Sequence, residues 1–223
     1  MPQATNFLTQ EQQDTIETAT ADAENKTAAE IVTAIASASG RYDRGEDIAG
    51  LWLGSIAMIT LWILWPIPQS QTDTWVTAAA WPHYAGWLAA LIIGFILGAT
   101  LTSKGTLRLL FTPKREQQQQ VEQKAREVFF DQRINRTQDS TGVLIYISLA
   151  ERMVTILADD TALGHLGQAT IQQHCTTLMK TLGSDPVQGL TTTIQTLADT
   201  LATPLPRQSN DRNELSNKIQ FID

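Results

Sequence analysis

Three aspartates in the second half of the chain could supply oxygen ligands to a metal ion. Asp139 precedes an apolar run that begins near Gly142, and the pair Asp159 and Asp160 ends the run that begins at Met153. If both runs are strands, the three carboxyl groups could converge at one edge of a sheet, where clustered oxygen ligands suit Ca²⁺ or Mg²⁺. The alternative is capping, because Asp159 or Asp160 just before a helix would accept hydrogen bonds from unpaired backbone N–H groups.

Other reactive side chains give no comparable pattern. His165 and His174 lack the i, i+4 spacing of a helical metal pair and a third ligand, so we expect surface or packing roles. Cys175 falls on an apolar stripe and is interpreted as a small core residue. The sequence has no phosphate-binding glycine loop, G-x-S-x-G elbow or HExxH motif, so no catalytic residue is assigned. An aspartyl nucleophile stays open, because a carboxylate needs no rare residue type around it.

The middle of the chain contains two long apolar runs, "IAGLWLGSIAMITLWILWPIP" and "AWPHYAGWLAALIIGFILGATL". Each is near the roughly 20 residues that a helix needs to cross a bilayer core. A chain of 223 residues has little left with which to bury two such helices on every side. We therefore predict a transmembrane helical hairpin over residues 48–103. Four tryptophans near its loop end are placed like an interfacial aromatic belt: Trp62, Trp65, Trp81 and Trp87.

Basic residues flank the hairpin and are missing from its loop. The flanking ones are Arg41, Arg44, Lys104, Arg108, Lys114 and Arg115. By the positive-inside bias, both termini are expected to be cytoplasmic and the loop around Asp73 to lie outside. The first twenty residues lack the pattern of a cleaved signal peptide. These features predict a two-pass protein of a bacterial-type inner membrane.

Small residues recur every four positions along the second run: Gly86, Ala90, Gly94 and Gly98. Such a stripe lets helix backbones approach closely, which lipid alone does not require. The groove could seat the protein's own first helix, with Gly50 and Gly54 opposite, or a helix of a partner subunit. Both alternatives bury this face against protein.

The polar segments on either side of the hairpin predict alternating helices and strands. Thr9 and Gln12 form a capping-box pattern at the start of a helix, and "AEIVTAIAS" has the composition of a strand. After the hairpin, Thr112 as N-cap and Pro113 as the first residue predict another helix. Two further strands are predicted in "TGVLIYISLAERMVTILADD".

Two more helices follow, and the second has Asp185 as N-cap and Pro186 as its first residue. The predicted fold is α/β, a small sheet flanked by helices and interrupted by the inserted two-helix transmembrane hairpin. Residues 1–47 and 104–203 form the two parts of the α/β domain. Residues 204–223 are predicted to be an irregular tail because of their Pro, Asn and Ser content.

Three segments resemble the TPM-domain family, named after thylakoid-lumen phosphatase-like proteins and related membrane proteins. The segments are "LTQEQQDTIETATADAENKTAAEIV", "FFDQRINRTQDSTGVLIYISLAERMVTILADD" and "NDRNELSNKI". The chain looks like the subgroup with a membrane hairpin after the first strand. The resemblance implies a TPM-like fold, activities from acid phosphatase to assembly or repair of photosynthetic complexes and receptor accessory roles, and some metal-binding members.

Two functions from different classes follow as expectations. The first is a non-enzymatic accessory, assembly or stabilising factor of a membrane protein complex, with the lipid bilayer and complex subunits as partners. The second is a divalent-metal-assisted phosphatase at the cytoplasmic membrane face. Nucleic acid is not expected as a partner, because the chain is acidic, with a formal net charge of −7, and has no basic face interleaved with aromatic residues.

Overall fold

The chain leaves one folded unit, forms a second, and returns to the first. The computed structural model describes residues 3–40, 42–67, 81–103, 106–137, 140–207 and 215–223. The segments Pro2–Gly40 and Arg115–Asp223 form one unit, and Arg41–Lys114 forms the other. The second unit is therefore inserted into the sequence of the first.

Several residues on which the sequence predictions depend lie outside the described residues. They are Arg41, Asp73, Lys104 and Asp139.

The first unit is built on a four-stranded mixed sheet. Its strands are β1 (Ile31–Ala36), β2 (Val143–Ser148), β3 (Met153–Ala158) and β4 (Gln220–Ile222). Their spatial order is β3-β2-β1-β4, with β1 parallel to both β2 and β4 and β2 antiparallel to β3. All six residues of β1 and of β2 are buried, so both faces of the central strands are covered.

In the part of the chain that the structure describes, five helices cover the two faces of this sheet. They are α1 (Gln10–Glu24), α4 (Lys114–Asp131), α5 (Asp160–Leu166), α6 (Gln168–Thr181) and α7 (Pro186–Ala202). The apolar stripe of α4 packs on one face, against side chains such as Leu144 and Tyr146 of β2. The other four helices pack on the opposite face, where Ile145 and Ile147 of β2 belong to the larger core cluster. The alternation of β2 side chains between two apolar layers explains its continuous hydrophobic sequence.

Helix ends largely follow the predicted capping residues. The Thr9 side chain accepts a hydrogen bond from the Gln12 backbone N–H, and the Gln12 side chain accepts one from the Thr9 backbone N–H, which completes the capping box of α1. Asp185 caps α7, and Pro186 is its first residue, as predicted. Helix α4 instead begins at Lys114, one residue after Pro113. Such one-residue differences are usual at helix ends, where Pro contributes no N–H group.

The prediction of an irregular tail is wrong for its last residues. Gln220–Ile222 pairs in parallel with Ala34–Ala36 of β1 as strand β4. The Asp223 carboxylate then accepts hydrogen bonds from the backbone N–H of Ala4 at 2.8 Å and from the hydroxyl of Thr5 at 2.9 Å. A three-residue strand is too short to show alternation, and a partner 186 positions away is not visible in the local pattern.

The inserted unit contains the two apolar helices, α2 (Asp43–Leu64) and α3 (Trp81–Ser103). The spans Gly45–Leu64 and Trp81–Ser103, with mean hydropathy 1.7 and 2.0, are long and apolar enough to cross a membrane. Large apolar side chains cover their outer surfaces, among them Ile63 and Ile93, which are 66% and 57% exposed. This surface is compatible with a lipid environment.

Candidate functional site

The structure places Asp159 and Asp160 at the start of α5. Asp159 is the N-cap, and its Oδ1 accepts a hydrogen bond from the Asp160 backbone N–H at 2.9 Å. Asp159 is half-buried, its Oδ2 has no hydrogen-bond partner among the described residues, and Asp160 is exposed. Asp159 therefore makes the capping interaction at the start of α5. The predicted metal site with Asp139 stays a prediction, because Asp139 lies outside the described residues.

A second pair of acids lies at the end of the sheet where β1 begins. Glu24 is the last residue of α1 and Glu30 directly precedes β1, and each side chain is only 7% exposed. The Glu24 carboxylate accepts hydrogen bonds from the Ile31 backbone N–H at 3.1 Å and from the Asn217 side-chain amide at 2.8 Å. The Glu30 carboxylate accepts one from the backbone N–H of Leu215 at 3.3 Å.

These contacts attach the residues that lead into β4 to the start of β1. Two buried carboxylates therefore contribute to holding the fourth strand in register.

The Glu24 carboxyl group has a strongly raised pKa. Burial raises its pKa from 4.5 to about 7; the charge of Glu30 acts in the same direction, while the hydrogen bonds from Ile31 and Asn217 and the charge of Arg207 oppose it. Beside it lies a cavity of about 120 Å³ lined by polar side chains, including Asn25, Arg207 and Asn217. A carboxyl group with this pKa exchanges its proton near neutral pH.

Sequence reasoning missed this pair, although one signal was present. A glutamate in the last turn of a helix is opposed by the helix dipole, so Glu24 occupies a place that helix propensity does not favour. Its second acid follows six residues later, immediately before an apolar strand, in "ENKTAAEIV". The cavity that both acids line together with Asn217 shows that they share one site.

A buried polar network lies at the opposite end of the sheet, where β1 ends. The Ser39 hydroxyl lies 2.9 Å from the Tyr146 hydroxyl and 2.8 Å from the Ser148 hydroxyl, and the Ser39 backbone N–H donates to Glu151 at 2.9 Å. Ser148 also donates to Glu151, and burial raises the pKa of Tyr146 to about 12. Tyr146, Ser148 and Glu151 are at most 3% exposed, so the network holds the chain after β1 rather than facing a ligand.

The histidines and the cysteine do not converge. His165 is exposed on α5, and His174 is half-buried on α6, where burial lowers its pKa. Cys175 is buried in the apolar core cluster, and burial raises the pKa of its thiol. Among the described residues, no group of three His, Cys, Asp or Glu side chains is arranged to hold a metal ion.

The predicted stripe of small residues on α3 faces α2. A Cβ atom added at Gly94 would lie 2.7 Å from the Gly54 Cα, and one added at Gly98 would lie 2.8 Å from the Gly50 Cα. Neither position has space for a side chain. At Gly86 the added atom would instead meet the Trp65 ring at 2.7 Å.

Ala90, the remaining member of the stripe, is half-buried. In this structure the stripe therefore packs against the chain's own first apolar helix, one of the two predicted alternatives.

Comparison with known proteins gives a likeness of fold. The NMR structure of BA42 protein from the psychrophilic bacterium Bizionia argentinensis sp. nov. matches with a TM-score of 0.56 at 18% sequence identity, and the match covers 96% of this chain and 95% of that one. No protein-family model and no curated protein matches the chain. At this level of identity the similarity concerns the fold alone.

Proposed function

We propose that the protein is a membrane-anchored accessory factor of the TPM-domain type, which assembles or stabilises a membrane protein complex. The observation that carries this proposal is the insertion of two apolar helices, packed through glycines, between β1 and α4 of a folded α/β unit. Both ends of the insertion continue into the same unit, so a membrane-spanning hairpin would tether that unit from two points. Tethering raises the effective concentration of the unit for other membrane proteins.

The proposed orientation places both termini and the α/β unit in the cytoplasm. It is supported by the basic residues at both flanks of the hairpin, including Lys114 and Arg115, which are exposed. The TPM-type assignment is supported by three segments of sequence resemblance and by an order of elements in which the apolar helices follow the first strand.

A mild-detergent purification of the tagged full chain from its native membrane tests the accessory role. We expect a membrane protein to co-purify in fixed stoichiometry. An unrelated two-helix membrane protein, tagged and expressed at the same level, is the control and should not retain it. Deletion of the gene should lower the amount of the assembled complex. A chain that purifies alone, together with an unchanged complex in the deletion strain, would contradict the proposal.

A divalent-metal phosphatase is the second candidate, and one observation favours it. The buried Oδ2 of Asp159 has no hydrogen-bond partner among the described residues, and such an oxygen could ligate Ca²⁺ or Mg²⁺. For a metal site, Asp159→Asn and Asp160→Asn should each reduce the stabilisation of the full chain by these ions. Identical melting shifts in wild type and both variants would leave capping as the role of Asp159.

A further inference from the structure

The outer edge of β3 is open to a partner strand. Among the described residues, β3 is the last strand on its side of the sheet. The backbone N–H of Asp159 donates to the carbonyl oxygen of Gly142 at 2.9 Å, and the register places Ala158 opposite Val143. Hydrogen-bonded and non-hydrogen-bonded pairs alternate in an antiparallel ladder. Val154, Ile156 and Ala158 are therefore in non-hydrogen-bonded pairs, and their backbone N–H and C=O groups point away from β2.

The sequence of this edge lacks the usual protection against pairing. Met153–Ala158 reads "MVTILA", with no charged residue and no proline. Natural edge strands are normally interrupted by Lys, Pro or bulges, because an exposed row of backbone donors and acceptors invites another strand. An unprotected edge of six residues with high β-propensity is expected to be covered by a specific partner.

The edge lies in a cleft between two helices. A cavity of about 250 Å³ follows β3, with Glu122 and Arg126 of α4 on one wall and Ile171 and Cys175 of α6 on the other. The Ile156 backbone hydrogen-bonds the Cys175 thiol, which is a weak partner for an amide. A stronger carbonyl acceptor from an added strand would improve on this contact.

We propose that this cleft binds an extended segment of a partner protein by strand addition to β3. The inference rests on the proposed accessory function, since it names the kind of contact through which a partner would be held. The occupant is a single strand of about five residues, because the outward-facing backbone groups of Val154 and Ala158, and the Ile156 group now bonded only to the Cys175 thiol, lie at the alternate positions that another extended backbone pairs with. A second copy of this chain fits less well, because its own α4 and α6 flank its edge strand and would meet these helices.

The two walls specify the side chains of the segment. Side chains of an added strand alternate between the faces of the sheet, so one set faces Ile171 and Cys175 and the other faces Glu122 and Arg126. The first wall is apolar, whereas the second is formed by an exposed pair of opposite charge whose atoms are 4.0 Å apart. The partner segment should therefore alternate apolar with polar residues and contain no proline.

A displayed library of random twelve-residue peptides, selected on the full chain in phospholipid nanodiscs, tests this inference. The selected peptides should show the alternating pattern and should protect the amides of Val154, Ile156 and Ala158 from hydrogen exchange. Val154→Pro removes one outward N–H group but no bond to β2, and it should weaken binding about fivefold. Thr196→Val, at an exposed position of α7 outside this cleft, is the control and should bind as wild type does.

A measurement on the peptide makes the test independent of variant folding. N-methylation of alternate amides should abolish binding for one set of positions and leave it intact for the other, which is the signature of a strand paired on one edge. Equal effects of both sets, selected peptides that protect another surface, or an outcome without any selected peptide would overturn the inference. If, without peptide, protection of these β3 amides from hydrogen exchange rises with protein concentration, the edge would pair with a second copy of the chain instead.

These outcomes are separate from the membrane purification. Peptide binding can succeed where no complex co-purifies, and a complex can co-purify through the hairpin while β3 binds no strand.

Discussion

Glu24 shows how a single residue makes the stability of the fold depend on pH. Its side chain joins α1, the start of β1 and the segment before β4 through hydrogen bonds to Ile31 and Asn217. Burial favours the protonated form, so the pKa of the carboxyl group rises from 4.5 to about 7 in the folded protein. Because the folded state binds this proton more tightly than the unfolded state, this group makes folding more favourable at low pH.

We predict that the contribution of Glu24 to the free energy of unfolding falls as the pH rises from about 4.5 to about 7, its two pKa values. The contribution is fully present below the lower value and is lost as the pH passes the upper one; its size is on the order of 2–3 kcal/mol. Glu24→Gln, which cannot titrate, should flatten this dependence. Denaturant unfolding of the full chain across this pH range measures the change.

The matched control for Glu24 is its exposed neighbour Asp22. Asp22→Asn should leave the pH dependence as it is in wild type. A slope that survives in Glu24→Gln, or that disappears equally in Asp22→Asn, would show that the acidity of Glu24 is not its source.

At the scale of elements, close backbone approach decides which glycines can be replaced. Gly94 packs against Gly54 at the α2–α3 contact, while Gly142 precedes β2 and has the carbonyl group of Ile134 directly beside it. At Gly164 on α5, a Cβ would meet no heavy atom within 4 Å apart from its chain neighbours and the nearby backbone of its own helix. The same residue type thus serves packing at two positions and has open space at the third.

For the hairpin, we predict that Gly94→Leu disrupts packing, because the added side chain would overlap α2; the cost is about 1–3 kcal/mol. Ile93→Leu, at an adjacent exposed position, should be tolerated. The yield of monodisperse full chain in mild detergent, and the temperature at which it is lost, measures both. Equal yields and equal transition temperatures would show that the stripe serves only as apolar surface.

For the α/β unit, Gly142→Ala should lower the free energy of unfolding by about 1–3 kcal/mol, since the methyl group would overlap the Ile134 carbonyl. Gly164→Ala should leave it unchanged or raise it by up to about 1 kcal/mol through helix propensity. Thermal unfolding of the full chain compares the two. Similar losses in both variants would mean that the contact at Ile134 is not the cause.

Local patterns were sufficient for most elements but not for the elements that depend on long-range pairing. The capping residues Thr9 and Asp185 mark helix starts because their partners lie within three residues. The Glu24–Asn217 contact joins positions 193 apart, and no local periodicity signals it. The seven-residue helix α5 begins at Asp160, directly after its N-cap Asp159, and so short a pattern does not stand apart from the end of the preceding strand.

For the whole molecule, the insertion determines what the α/β unit can do. Two apolar helices with exposed large side chains lie between β1 and α4 in sequence, and the parts of the α/β unit on either side fold together. A hairpin that crosses a bilayer would return the chain to the side from which it started. The proposed orientation places that side in the cytoplasm, where the α/β unit would meet its partner.

Cysteine accessibility in intact cells tests this arrangement most directly. In a background with Cys175→Ser, one variant carries Asp73→Cys in the segment between the apolar helices, and the other carries Gln118→Cys at an exposed position of α4. With a membrane-impermeant thiol reagent, we predict labelling at position 73 in intact cells and labelling at position 118 only after the cells are lysed. Labelling at position 118 in intact cells, or protection of position 73, would contradict a membrane hairpin that holds the α/β unit in the cytoplasm.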